Sequence, residues 1–206
     1  MRYIVFLWVL GLVVGCKSTT TVSLANGKKV ILNDSYGLFL SKSKINSEVR
    51  AAYYSFTQSD IKKLTGNLHE VPSSGTLKIE LTFTSKANAE KYTVADWFKS
   101  NKSRLNLSLY KTTDNFIIYT ERLSPNTVTV TGYYLLPNRS GFGDILIKCS
   151  TNFGIKFTNK NGACTVEDFY TKEITVSYTI PFKELEEPLK YINSVNELLN
   201  KNISIQ

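Results

Sequence analysis

The chain has 206 residues, of which 42% are hydrophobic and 20% charged, with a formal net charge of +8 at neutral pH. That length supports one sizeable domain, or two small ones divided near residue 100. The lysines are scattered, as at Lys28-Lys29, Lys42 with Lys44, and Lys62-Lys63, with no arginine-rich helix and no run of five like charges; this argues against nucleic-acid binding and leaves an acidic protein as the best-suited partner.

The chain starts with Met1-Arg2, followed by an apolar run from Ile4 to Val14 and then Gly15-Cys16. A charged start, a short apolar core and a small residue before the cut make a secretory signal peptide. The run is shorter than the ~20 apolar residues that span a bilayer. Val13-Val14-Gly15-Cys16 resembles the end of a bacterial lipoprotein signal peptide. The resemblance implies that residues 1–15 are removed and that Cys16 is lipidated as the first residue of the mature protein. It also implies outer-membrane sorting, because Lys17 stands where an Asp favours the inner membrane. The folded part then sits in the envelope, facing the periplasm or the cell exterior. Residues 16–21, through Lys17-Ser18-Thr19-Thr20-Thr21, read as a tether, and residues 22–206 as a single domain. With Cys16 lipidated, Cys149 and Cys164 are an even pair in an oxidising compartment, which favours a disulfide.

Asn26-Gly27 between Val22-Ser23-Leu24 and Val30-Ile31-Leu32 predicts a hairpin. Tyr36 to Leu40 predicts a strand. Residues 45–56 are ambiguous, since Ala51-Ala52 favour helix while Val49, Tyr53, Tyr54 and Phe56 favour strand. Ser59 is expected to cap a short helix over Asp60 to Leu64 that Gly66 stops. Pro72 to Gly75 turns into an alternating strand over 76–84. Ala87 to Lys99 reads as helix, with Thr93 and Asp96 spaced as a capping box and Trp97-Phe98 as core anchors.

The following ninety residues read as strands: 105–109, 116–119, 128–134, 144–149, 154–157 and 173–180, with turns at Thr113-Asp114-Asn115 and Ser124-Pro125-Asn126. Residues 158–162 are a link toward Cys164. Beyond them Leu185, Leu189, Ile192, Val195 and Leu199 recur at steps of three or four, the stripe of an amphipathic helix. Pro188 breaks or restarts that helix, and its apolar stripe suits the open face of a sheet. The expected fold is therefore α+β, a largely antiparallel meander with a few packing helices.

The inventory for catalysis is poor. No Gly-x-Ser-x-Gly elbow occurs, and a Ser-His-acid arrangement would need the lone histidine, His69. Adjacent acids such as Glu167-Asp168 and Glu186-Glu187 diverge in either a strand or a helix. Neither cysteine of the pair belongs to a close Cys-x-x-Cys, so no metal or cofactor is expected. A non-enzymatic binding protein is the expectation. The loop Pro137-Asn138-Arg139-Ser140-Gly141-Phe142-Gly143 offers Arg139 and Phe142 as partner-binding candidates, since flanking glycines let a loop protrude and interface anchors are often aromatic or Arg.

The stretch from Cys149 to Ile192 has a Cys ending one strand, Cys164 after 15 residues, then Ile174 to Ile180, then an amphipathic helix. It resembles the C-terminal part of lipoprotein and periplasmic immunity proteins that accompany antibacterial effectors of type VI secretion systems, lipase effectors in particular. This chain has Tyr191 where a Trp is often found. The resemblance implies a stoichiometric toxin inhibitor; the competing class is an envelope accessory lipoprotein that docks on a membrane complex or binds a small ligand. Changing Cys16 to Ser should release the mature protein from the membrane fraction or leave it unprocessed. Fractionation with mass spectrometry of the mature N-terminus checks this, and an unlipidated mature wild type overturns it.

Overall fold

Alternating apolar and polar residues fix which side of each strand is buried, and the computed structural model arranges them in two antiparallel sheets. It describes residues 18–24, 26–44, 48–67, 69, 71, 75–84, 93–150, 162–171 and 173–206. The signal segment and Cys16 lie outside them, as do the strand expected at 154–157 and the first part of the helix expected from Ala87.

A small sheet joins β1 (Thr19–Ser23), β2 (Lys29–Asn33) and β12 (Ile203–Ile205). The large sheet contains β3 (Phe39–Lys42), β4 (Val49–Thr57), β5 (Thr76–Phe83), β6 (Ser108–Thr112), β7 (Phe116–Arg122), β8 (Val130–Pro137), β9 (Ile145–Ser150), β10 (Ala163–Asp168) and β11 (Ile174–Pro181). Its spatial order is β3-β4-β5-β11-β10-β9-β8-β7-β6. It is thus two meanders, β3 to β5 and β6 to β11, joined where β5 pairs with β11. The chain reaches the far edge at β6 by way of α2 (Val94–Asn101). The other helices are α1 (Gln58–Thr65), a 3-10 turn at Phe182–Leu185 and α3 (Pro188–Asn202). The fold is α+β, as the patterning predicts.

One face of the large sheet carries the main core. Cross-strand neighbours Tyr54, Ile79, Tyr178, Val166, Ile147 and Leu135 run across it in one line of register. The line is covered by Ile61 of α1, by Val30 and Leu32 of the small sheet, and by Tyr191, Ile192, Val195, Leu198 and Leu199 of α3. Each large side chain buried there contributes roughly 1.5–3 kcal/mol. The opposite face has a smaller cluster, where Trp97 of α2 stacks on Tyr134 at 5.2 Å and Phe98 packs on Tyr119 at 4.6 Å. Lys148 places its ammonium over Trp97 and pairs with Glu167.

Several expectations shift by physical causes. Residues 49–57 are strand, so the β-branched and aromatic residues prevail over Ala51-Ala52. Thr57, not Ser59, caps α1 in a reciprocal capping box with Asp60, and Gly66 closes it in the left-handed conformation. The box expected at Thr93 and Asp96 forms. The strand expected at 105–109 begins only at Ser108, because Asn106 takes a left-handed backbone with φ 49°. Thr19 to Thr21 belong to β1 and are not free tether. β10 and β12 were not expected as strands; their partners β11, β9 and β2 supply what local pattern does not. Pro188 restarts the C-terminal helix at its first turn, where a missing N–H costs nothing.

Asp168 ends β10 on the buried face, opposite Ile145 and Val176. Burial, with the Asp144 carboxylate second, pushes its carboxyl up from 3.8 to about 6. A folded pKa above the unfolded one stabilises the protein fully below about pH 4, and that stability is lost as pH rises through about 6. A rise of this size corresponds to about 3 kcal/mol. Asp168→Asn lacks this titration. Its unfolding free energy relative to wild type should therefore improve by up to about 3 kcal/mol between pH 4 and pH 7, measured by urea melts at both pH values; a constant difference contradicts it.

Candidate partner-binding site

The loop between β8 and β9 is held at its start by two bonds to the β6–β7 turn. The Asn138 backbone N–H donates to the Asn115 carbonyl at 2.9 Å, and the Asn138 side-chain amide donates to the Thr113 carbonyl at 2.8 Å. Gly141 and Gly143 take positive φ of 99° and 75°, a backbone that favours glycine. Those two turns send Phe142 inward. It is 2% exposed and its ring packs on Phe116 at 5.2 Å. The glycines therefore let the loop fold back onto the core, where the sequence suggested protrusion. Phe142 is an anchor of the loop and does not offer itself to a partner. Arg139 is exposed, with its guanidinium 5.6 Å from the Phe142 ring centroid. The structure thus brings the two candidates together but presents only the arginine.

Beside this loop lies a cleft of about 180 Å³ lined by Thr113, Asn115, Phe116, Ile118, Leu135, Leu185 and Glu186. Its floor is apolar, from β7, β8 and the 3-10 turn; its rim is polar. The volume falls below the roughly 300–1,000 Å³ of small-molecule sites and suits one inserted side chain of a partner. Its lining comes from three separated segments, so no local motif in the sequence marks it.

Cys149 and Cys164 form the expected disulfide. They are direct cross-strand partners on β9 and β10 with Cα atoms 4.4 Å apart. Closing a loop of 15 residues stabilises by roughly 3 kcal/mol in the chain-entropy account. Within that loop, two residues before Cys164, Gly162 lies so close to the ring of Phe182 that a β-carbon there would overlap it, and the Phe182 N–H donates to the Gly162 carbonyl at 2.8 Å.

His69 does find a serine and an acid. Its Nε2 lies 2.8 Å from Ser194 Oγ and its Nδ1 3.2 Å from Glu184 Oε2. The residue types are those of a hydrolase triad, but the geometry is that of a clamp. Ser194 is buried within α3, its Oγ also accepts from Asn67 Nδ2 at 3.2 Å, and His69 packs edge-on against Tyr191 at 5.2 Å. The network ties the segment between α1 and β5 to the C-terminal helix. Among the described residues no group of three His, Cys, Asp or Glu side chains is placed to hold a metal ion, and no helix is long and apolar enough to cross a membrane.

No protein-family model matches the chain, and no curated protein matches it in sequence. Among solved structures, its fold is similar to that of an immunity protein of the Stenotrophomonas maltophilia type IV secretion system. The TM-score is 0.50 and the identity 11%, over 91% of this chain and 94% of that chain. At that identity the likeness defines the fold class: an α+β fold shared over nearly the whole of both chains.

Phe142→Ala should cost about 3–5 kcal/mol, the usual range for an emptied aromatic site. Arg139→Ala should change stability by less than about 0.5 kcal/mol. Chemical denaturation of both variants checks this, and equal losses would contradict the division of roles.

Proposed function

We propose that the protein is a lipid-anchored immunity protein of the bacterial envelope, which binds and neutralises a toxic effector delivered by a secretion system. The observation that carries this reading is the fold likeness, over more than nine-tenths of both chains, to a solved immunity protein. The C-terminal pattern from Cys149 to Ile192 supports it independently, through its resemblance to immunity proteins of type VI systems. The small cleft supports it as well, since it has room for a partner's side chain and not for a large substrate. Cys16 supplies the anchor and Lys17 directs it to the outer membrane, so the domain meets an effector in the periplasm.

The two likenesses differ in the delivering machine. Type VI secretion, with a lipase effector, is the finer reading that the C-terminal pattern favours; the solved neighbour belongs to a type IV system. An inhibitor must stay bound for the life of the toxin, so nanomolar affinity, roughly −12 kcal/mol, is the expected scale.

Deleting the gene should make cells die in contact with toxin-bearing siblings, and restoring it should rescue them. A deletion strain that survives as well as its parent, with envelope assembly machinery instead of an effector in periplasmic pull-downs, replaces this reading with that of an accessory lipoprotein.

A further inference from the structure

We propose that the effector docks on the β6 edge of the large sheet, setting an apolar centre and acidic rim of its own against the exposed apolar side chains and basic surroundings of that edge. This rests on the immunity reading. Among the described residues, six large hydrophobics are exposed; two of them lie on β6, Leu109 at 61% and Tyr110 at 52%, and two in the adjoining β7–β8 turn, Leu123 at 69% and Val128 at 93%. Leu109 sits opposite Tyr119 on β7, on the face that carries α2. Leu123 lies four residues beyond Tyr119, roughly 13 Å along the strand, in the turn that also holds Val128. A register shift between Leu109 and Lys111 turns Tyr110 to the other face, where its ring meets Tyr133 edge-on at 5.7 Å. The edge therefore shows apolar side chains on both faces, and a partner that grips it buries all four.

The surroundings are basic. Between residues 99 and 131 the chain has Lys99, Lys102, Arg104, Lys111 and Arg122 against Asp114 and Glu121. The Glu121 carboxylate accepts from the Tyr134 hydroxyl at 3.0 Å. Arg139 adds a cation beside the β6–β7 turn. A partner with acidic residues around an apolar centre matches this pattern, and charge complementarity of this kind speeds association. The bulge at Tyr110 and the lysine within the strand are the devices by which edge strands avoid strand pairing, so docking is through side chains and not by strand addition.

The position of the anchor points the same way. β1 begins three residues after Cys16. Its sheet packs beside β4, where the Tyr54 hydroxyl donates to the Asn33 carbonyl of β2 at 3.0 Å, and in the link after β2 the Tyr36 carbonyl accepts from the Ser55 N–H at 3.1 Å. β4 and β6 are seven strand positions apart in the sheet order, roughly 34 Å at normal strand spacing. The β6 edge is thus at the end of the molecule away from the anchored strand.

The test uses the deletion strain challenged by toxin-bearing siblings and supplied with the full-length protein. Three variants are compared with wild type: Leu109→Asp with Leu123→Asp, Lys111→Glu with Arg122→Glu, and Phe39→Asp at the opposite edge. All five positions are solvent-exposed, and melting temperatures establish that each variant is folded. Both β6-edge variants should lose protection by a factor of about ten or more, while Phe39→Asp protects as wild type does. Full protection by folded β6-edge variants, or loss only with Phe39→Asp, overturns the docking surface and leaves immunity intact. Failure of wild type itself to protect overturns the immunity reading, and the docking proposal with it.

Discussion

The antiparallel pairing of β5 with β11 holds two separately built meanders in one sheet. Ile174 faces Phe83, Val176 faces Leu81 and Tyr178 faces Ile79 across that seam, and the first meander continues the line with Ala52 and Tyr54. β11 also pairs with β10, from Val176 to Pro181. It is therefore the strand through which late and early parts of the sequence share a core. A slip of one residue at the seam would turn Val176 and Tyr178 outward and bring Thr175 and Ser177 into the core. Burial of one apolar face on each side makes that register unique. α3 follows β11 after one short turn and closes the same face, so seam and cover are laid down by consecutive residues.

Polar groups inside this core are engaged in ways that fix position. The Tyr191 hydroxyl donates to the Thr179 carbonyl at 3.1 Å, tying α3 to the strand beneath it. His69 joins Ser194 and Glu184, and the Tyr54 hydroxyl reaches both Asn33 and Asn202. Burial pushes the Tyr54 and Tyr191 hydroxyls well above the usual phenol range. They stay neutral donors across the physiological range, as a buried hydrogen bond requires. One end of the large sheet lies beside the small sheet, and the other end, at β6, carries exposed apolar side chains among basic residues.

Patterning of period two made most of the large sheet legible. Leu77, Ile79 and Leu81 alternate with polar residues, and Ile174 to Ile180 alternate likewise, so β5 and β11 were readable one strand at a time. Their pairing was not, because ninety residues separate the two and a meander rule joins only neighbours. Ala163 to Asp168 shows the converse case. Its Val166 and Cys164 are inward, but Thr165, Glu167 and Asp168 mask the pattern, and the strand is fixed by β9 and β11 on either side. The disulfide followed from compartment and parity. Phe142 did not, because glycines on both sides of an aromatic permit a loop to fold inward as readily as outward, and the choice was made by Phe116 from another strand. The β6 edge escaped the pattern because Leu109 and Tyr110 look like core residues in sequence. Only the sheet order, which leaves β6 without an outer neighbour among the described strands, exposes them.

The central claim is that this scaffold presents its β6 edge to a toxic protein. Hydrogen–deuterium exchange on the full chain, alone and with the effector against which it protects, tests that directly. Exchange should slow in residues 108–112 and in the turn at 123–129, with the small sheet unchanged. Slowing confined to β3 or to the small sheet, with β6 exchanging as in the free protein, would contradict it.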